Sequence, residues 1–219
     1  MATSSVSALL LFSIMLILSF CCPSFSSQPL AAYAKKVTVS VYYESLSLDS
    51  AEFVVNSLSK IYDNGLSEIV DLSLVPFGNA VLLKNGTIIC QNGKIECQLN
   101  TIEACLFNFM PPQEQYKFIN CVSILVSEGN PQRWSSCLDD KKDVYGQLIY
   151  DSDKNGLARK LQLRYANQTA ALNPPLEFVP WVTVNEVPLR RDIGNIMRHI
   201  CKAYTGFYVV CQNIIGTLK

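Results

Sequence analysis

The side chains able to do chemistry in this sequence are mostly thiols: nine cysteines stand against a single histidine, His199. Thiols hold metals, exchange with disulfides or cross-link a fold. Metal binding is the poorest match, because no C-x-x-C pair occurs and one imidazole cannot complete a ligand set. No metal and no cofactor are expected. Serine chemistry fares no better. There is no G-x-S-x-G, and His199 lies far along the chain from Ser47 and Ser50. Disulfide exchange and cross-linking are left, and the compartment bears on the choice between them.

The first segment is a different object from the rest. No charged residue precedes Lys35, although the whole chain carries 18 Lys and Arg against 18 Asp and Glu. The apolar run from Ala8 to Phe20 is shorter than the roughly 20 residues a spanning helix needs. Pro23, Ser24, Ser26 and Ser27 follow it, which fits a signal peptide over residues 1–27, cut near Ser26 or Ser27, or alternatively at Ala34. An uncleaved anchor is the competing reading, since no Lys or Arg opens the segment. After removal, no other stretch is long and apolar enough for a membrane. Zero net charge excludes a general electrostatic binder of nucleic acid.

An oxidising lumen turns the remaining cysteines into disulfide candidates: Cys90, Cys97, Cys105, Cys121, Cys137, Cys201 and Cys211. Their number is odd, so one thiol is free or pairs outside the chain. Cys201 and Cys211 flank Gly206, which permits a chain reversal, and are expected to bridge. The other five should give two bridges and one odd thiol. The sequons at Asn85 and Asn167 are expected to carry N-glycans on surface loops.

Hydrophobic patterning supplies the elements that position these groups. Lys36–Tyr43 alternates as a strand, and Ser50–Tyr62 has helical spacing, with Asp49 and Glu52 as a capping-box variant. Glu68–Val75 reads as a second strand, and Ala80–Cys90 as a hairpin around Asn85-Gly86. Helix is expected from Leu99 to about Cys137, broken at Pro111-Pro112, and again from Lys154 to Ala171. A strand entered through Pro180, Phe178–Asn185, precedes a last helix over Asp192–Tyr204. This α/β order is that of a thioredoxin-like domain carrying a helical insertion. In such a domain the first helix start can stabilise a thiolate, and Val179-Pro180 would be a cis bond beside the active site, with Trp181 near the start of that helix.

The run Cys90-Gln91-Asn92-Gly93-Lys94-Ile95-Glu96-Cys97-Gln98-Leu99-Asn100-Thr101-Ile102-Glu103-Ala104-Cys105 resembles the signature C-Q-H-G-x-x-E-C-x-x-N-x-x-x-x-C of the interferon-inducible lysosomal thiol reductase family. The one departure is Asn92 for His, which cannot titrate near neutral pH. The resemblance runs from about Val37 to the end, and it implies a thioredoxin-like domain over 28–219 with a disulfide-rich helical insertion over about 97–140. Family members continue Tyr-Tyr-Glu-Ser-Leu into Cys-Pro-x-Cys, whose two thiols do the chemistry. Here the same flank, Tyr42-Tyr43-Glu44-Ser45-Leu46, continues without a gap into Ser47-Leu48-Asp49-Ser50. Both redox positions are serine, and the proline is gone.

Exchange needs an attacking thiolate and a second thiol to resolve the mixed disulfide, and a hydroxyl does neither. Ser47, Asp49 and Ser50 are expected to act as helix-cap groups instead. The resemblance implies a secretory-pathway protein, secreted or lysosomal/vacuolar, that lacks reductase activity and keeps a groove at Pro180 for polypeptides, cysteine-containing ones included. The alternative is a thiol–disulfide oxidoreductase that works through the unpaired cysteine.

Overall fold

The computed structural model describes residues 34–216; the signal peptide expected over 1–27, with Cys21, Cys22 and the cleavage sites expected at Ser26 and Ser27, lies outside them. The strand β1 (Val37–Tyr43) runs through the middle of a sheet ordered β2-β1-β5-β6. It pairs in parallel with β2 (Val70–Pro76) and antiparallel with β5 (Trp181–Val184), which turns back into β6 (Val187–Pro188). Alternation decides what each face does. Val37, Val39, Val41 and Tyr43 of β1 join Val182 and Val184 of β5 in the larger hydrophobic cluster. Each fully buried Val removes enough apolar surface to stabilise by about 1.5–2 kcal/mol. Tyr42 and Trp181 point the other way, into a second cluster with Leu161 and Tyr165.

The parallel pair β1–β2 needs a crossover, and a helical rod supplies it. The rod comprises α1 (Leu48–Phe53), a π-helical segment (Val54–Leu58) and α2 (Ser59–Asp63). It covers the first face with Phe53, Val54, Leu58 and Ile61. After β2 comes a small hairpin, β3 (Val81–Leu82) and β4 (Ile88–Ile89), closed at Gly86, whose φ of 87° suits glycine. Four helices then intervene before β5: α3 (Lys94–Phe109), α4 (Pro112–Ser127), α5 (Lys142–Lys154) and α6 (Leu157–Ala170), with a 3-10 stretch over Pro131–Lys141. The C-terminal part adds α7 (Ile196–Ala203) and α8 (Val209–Gly216).

Several expectations need correction. Trp181 does not sit at the start of the first helix. It packs edge-on against Phe178 at 5.3 Å, on the opposite side of the sheet from α1. The reason is the period of two: Val182 takes the first face, so Trp181 must take the second. The strand expected over Phe178–Asn185 is shorter, because Asn185 and Glu186 adopt φ of 46° and 68° and form a hairpin turn into β6. The helix expected from Lys154 to Ala171 is α6, entered after Gly156 with φ 76°, and a further helix that was not expected, α5, precedes it.

Candidate functional site

Beyond Tyr43 the chain does not run straight into α1. Glu44 and Ser45 turn inward and are buried, at 1% and 6% exposure. Ser47 then caps the helix: it is extended (φ −74°, ψ 123°), and its Oγ accepts from the Ser50 amide at 3.2 Å. Such a cap stabilises a helix end by about 1 kcal/mol. The cap is therefore Ser47, one of the three groups expected to cap the helix, and neither Ser50 nor Asp49, alone or with Glu52, supplies it. Leu48 and Asp49 are exposed, while Ser50 is 1% exposed and its Oγ has no hydrogen-bond partner among the described residues. Ser50 is thus shut off from solvent, while Ser47 is partly exposed. No histidine lies here. His199, on α7, binds Asp192 at 2.8 Å.

Val179-Pro180 is cis, as is Asn173-Pro174. Pro180 borders a groove of about 360 Å³, shared with Asp49, Glu52, Asn56 and Phe178 and with Arg191, whose guanidinium lies 5.4 Å from the Phe178 ring. Asp49 and Glu52 come from α1 and Asn56 from the π segment, so the helix after Ser47 forms one wall. Ser47 and Ser50 do not line it.

The second part of the site is a buried polar network, which the sequence reading missed. Asn92 donates from Nδ2 to Glu44 Oε2 at 3.1 Å and to Glu96 Oε2 at 2.5 Å, and its amide reaches Glu96 Oε1 at 3.1 Å. Glu44 Oε1 accepts from the Asn79 amide at 2.8 Å. Gly78 sits so close to Glu44 that a β-carbon there would collide with its side chain. The Ser45 amide donates to Asn100 Oδ1 at 3.1 Å. Tyr43 donates its hydroxyl to Glu103 Oε2 at 2.8 Å. Glu96 and Glu103 are fully buried. Burial, with the Glu96 charge nearby, pushes the Glu103 carboxyl up to about 8, and burial also raises Glu44. The overlooked signal was the spacing: Glu96, Asn100, Glu103 and Phe107 repeat every three or four residues on one helix face that also carries Leu99 and Leu106.

The structure bridges Cys90 to Cys97, Cys121 to Cys137 and Cys201 to Cys211, leaving Cys105 as the free thiol among the described residues. Cys105 is 1% exposed, and burial raises its thiol above the ordinary range. Both features oppose exchange chemistry through this residue. Asn85 is exposed in the hairpin turn, whereas Asn167 is exposed on α6, a helix rather than the loop expected. Among the described residues no group of three or more His, Cys, Asp or Glu is placed to hold a metal, and no helix is long and apolar enough to cross a membrane.

Comparison with known proteins places this arrangement. Two solved structures share the architecture: BdbD from Bacillus subtilis, at TM-score 0.54 and 16% identity over 76% of this chain and 86% of the other, and MdbA, a thiol-disulfide oxidoreductase from Actinomyces oris, at TM-score 0.53 and 13% identity over 79% and 84%. The fold is α/β and thioredoxin-like. The Arabidopsis thaliana gamma-interferon-responsive lysosomal thiol protein is 41% identical over 94% of this chain and 85% of its own length. The Mus musculus gamma-interferon-inducible lysosomal thiol reductase is 34% identical over 78% and 68%. A family model of the gamma interferon inducible lysosomal thiol reductases matches residues 38–141, which span Ser47, the buried network and two of the disulfides. On these matches, the chain belongs to the gamma interferon inducible lysosomal thiol reductase family.

Proposed function

We propose that this protein has lost disulfide reduction and acts as a polypeptide-binding member of its family. The observation that carries the reading is the start of α1. At the positions where the family resemblance expects two thiols, Ser47 Oγ is engaged as a helix cap and Ser50 Oγ is buried without a partner. Neither oxygen can attack a disulfide or hold a mixed one. Cys105, the thiol left over, is buried and hard to ionise, which argues against the oxidoreductase alternative. The groove at Pro180 supports binding, because the backbone next to that proline borders an open cleft of a size for an extended chain. The leader at 1–27, the three disulfides and the sequons at Asn85 and Asn167 fit a glycoprotein of the secretory pathway, secreted or lysosomal/vacuolar.

The test is reduction of insulin disulfides at acidic and at neutral pH, alongside binding of reduced, alkylated insulin B chain. The mature protein should bind the peptide and show no rate. The double variant Ser47→Cys, Ser50→Cys should reduce insulin slowly, since Leu48 replaces the proline and Asp49 opposes a thiolate. A wild-type rate abolished by Cys105→Ala would overturn the loss of chemistry. Failure to bind the alkylated peptide would overturn the binding half.

A further inference from the structure

The second face of the sheet is only half covered. Tyr42, Val75 and Trp181 meet α6 in the second cluster, but lower on the sheet the side chains become small and polar. Ser73, Ser40 and Thr183 stand side by side on β2, β1 and β5, as the registers Ser40↔Ser73 and Ser40↔Thr183 require. Strand spacing sets these hydroxyls roughly 4.8 Å apart. They floor a cavity of about 650 Å³, within the range of small-ligand sites and sharing no lining residue with the Pro180 groove.

Three lining side chains that carry polar atoms are more than nine-tenths buried. Ser40 is 9% exposed and Thr183 4%, and both place a hydroxyl-bearing side chain on the cavity floor. Trp181 is 1% exposed, and its indole N–H has no acceptor. An unmade bond of this kind costs about 1–3 kcal/mol, so the sheet face carries one polar group without a partner among the described residues. The charges narrow the ligand. Among the described residues no Lys, Arg or His lines the cavity, so a phosphate or other anion has no counter-charge there. The two carboxylates, Asp71 and Glu186, are exposed at the rim, while the interior offers neutral hydroxyls. A buried cation would be uncompensated there. A neutral ligand with many hydroxyls meets donors and acceptors on the floor, and carboxylate acceptors at the edge.

We infer that this cavity is a saccharide-binding site. A source lies next to it. Asn167 of the Asn167-Gln168-Thr169 sequon is exposed on α6, one residue before Gln168 and one helical turn before Ala171, both of which line the cavity. A glycan on Asn167 would start at the cavity mouth. Free oligosaccharide is the other source of the same chemistry.

The test titrates N,N′-diacetylchitobiose into mature protein carrying Asn167→Gln, read by saturation-transfer NMR and tryptophan fluorescence, with spermidine as the cationic comparison. Saturable binding is expected, weakened about tenfold by Thr183→Val and by Ser40→Ala at unchanged melting temperature. Gln168→Ala, at the half-exposed mouth, carries the test where a sheet variant does not fold. No saturable binding by folded protein, equal binding by the variants, or tighter binding of spermidine would overturn the site. Protein bearing a glycan at Asn167 separates the sources. Refusal of the disaccharide until the glycan is trimmed by endoglycosidase identifies the chain's own sugar as occupant. Equal affinity with and without the glycan identifies free saccharide.

Discussion

The start of α1 and the loop leading into α3 lie together beyond the end of β1, joined by the Ser45 amide and Asn100. They are held in opposite ways. At α1 the polar groups serve only their own turn: Ser47 caps Ser50, and the Ser50 hydroxyl bonds to nothing. In the loop and α3, key polar side chains reach other elements: Asn92 meets Glu44, Asn100 the Ser45 amide, and Glu103 the Tyr43 hydroxyl. A locally satisfied helix start can exchange cysteine for serine with little effect on the rest of the molecule. The buried members of the network, Glu96, Asn100 and Glu103, cannot lose a partner so easily, because the group left behind is out of reach of water. The contrast separates the residues that carry a family's chemistry from those that carry its shape.

The contrast can be broken most directly at Glu103. Replacement by Ala leaves the buried Tyr43 hydroxyl without an acceptor and opens a cavity, so unfolding in urea should show a loss of about 3 kcal/mol. Glu103→Gln keeps an acceptor and should cost far less. Equal losses would mean that the bond to Tyr43 holds nothing.

Acidity sharpens the same point with a smaller effect. Glu103 has a carboxyl at about 8 in the folded protein, against about 4.3 in an unfolded chain. Between these values the folded state holds a proton that the unfolded state has released. Stability is therefore complete below about pH 4.3 and falls as pH rises toward 8. Thermal melts should show the protein less stable at about pH 8.5 than at about pH 5, and Glu103→Gln should flatten the profile. A wild-type profile as flat as that variant's would remove Glu103 as the titrating group.

The smallest effects belong to the helix start. Ser47→Ala should cost about 1 kcal/mol through the lost cap. Ser50→Ala removes a buried hydroxyl with no partner and should leave stability unchanged or slightly higher. If Ser50→Ala costs as much as Ser47→Ala in the same denaturation series, the Ser50 hydroxyl has a role that the geometry does not contain.

Much of the fold was legible because single segments state their own pattern. Val37, Val39 and Val41 alternate, Pro111-Pro112 divides two helices, and Asn85-Gly86 marks a hairpin. The redox positions were legible because the flanking Tyr42–Leu46 keeps its register with the family. What stayed hidden depends on contacts between segments. A glutamate on a helix is ordinarily read as solvent-facing, and only the approach of Glu44 and Tyr43 to α3 shows why Glu96 and Glu103 are inside. The strand β6 and the Asn185-Glu186 turn are too short to give a periodic signal, as is α8, which the Cys201–Cys211 bridge ties to α7. The burial of Ser50 depends on the helix packing around it, which no spacing announces.

The central strand has a further consequence for how the molecule is made. β1 is among the first described parts of the chain to be synthesised, yet its contacts with the β5 side join residues 147 positions apart, as in the bond from Thr38 to Asn185. The parallel pairing with β2 and the helices of the insertion rest on nearer neighbours and can form while the chain is still being extended. The bridges Cys90–Cys97 and Cys121–Cys137 close short loops within that early part. One edge of β1 therefore waits unpaired until almost the whole chain has emerged, and the open sheet edge in that interval is the stretch most exposed to misassembly during biosynthesis.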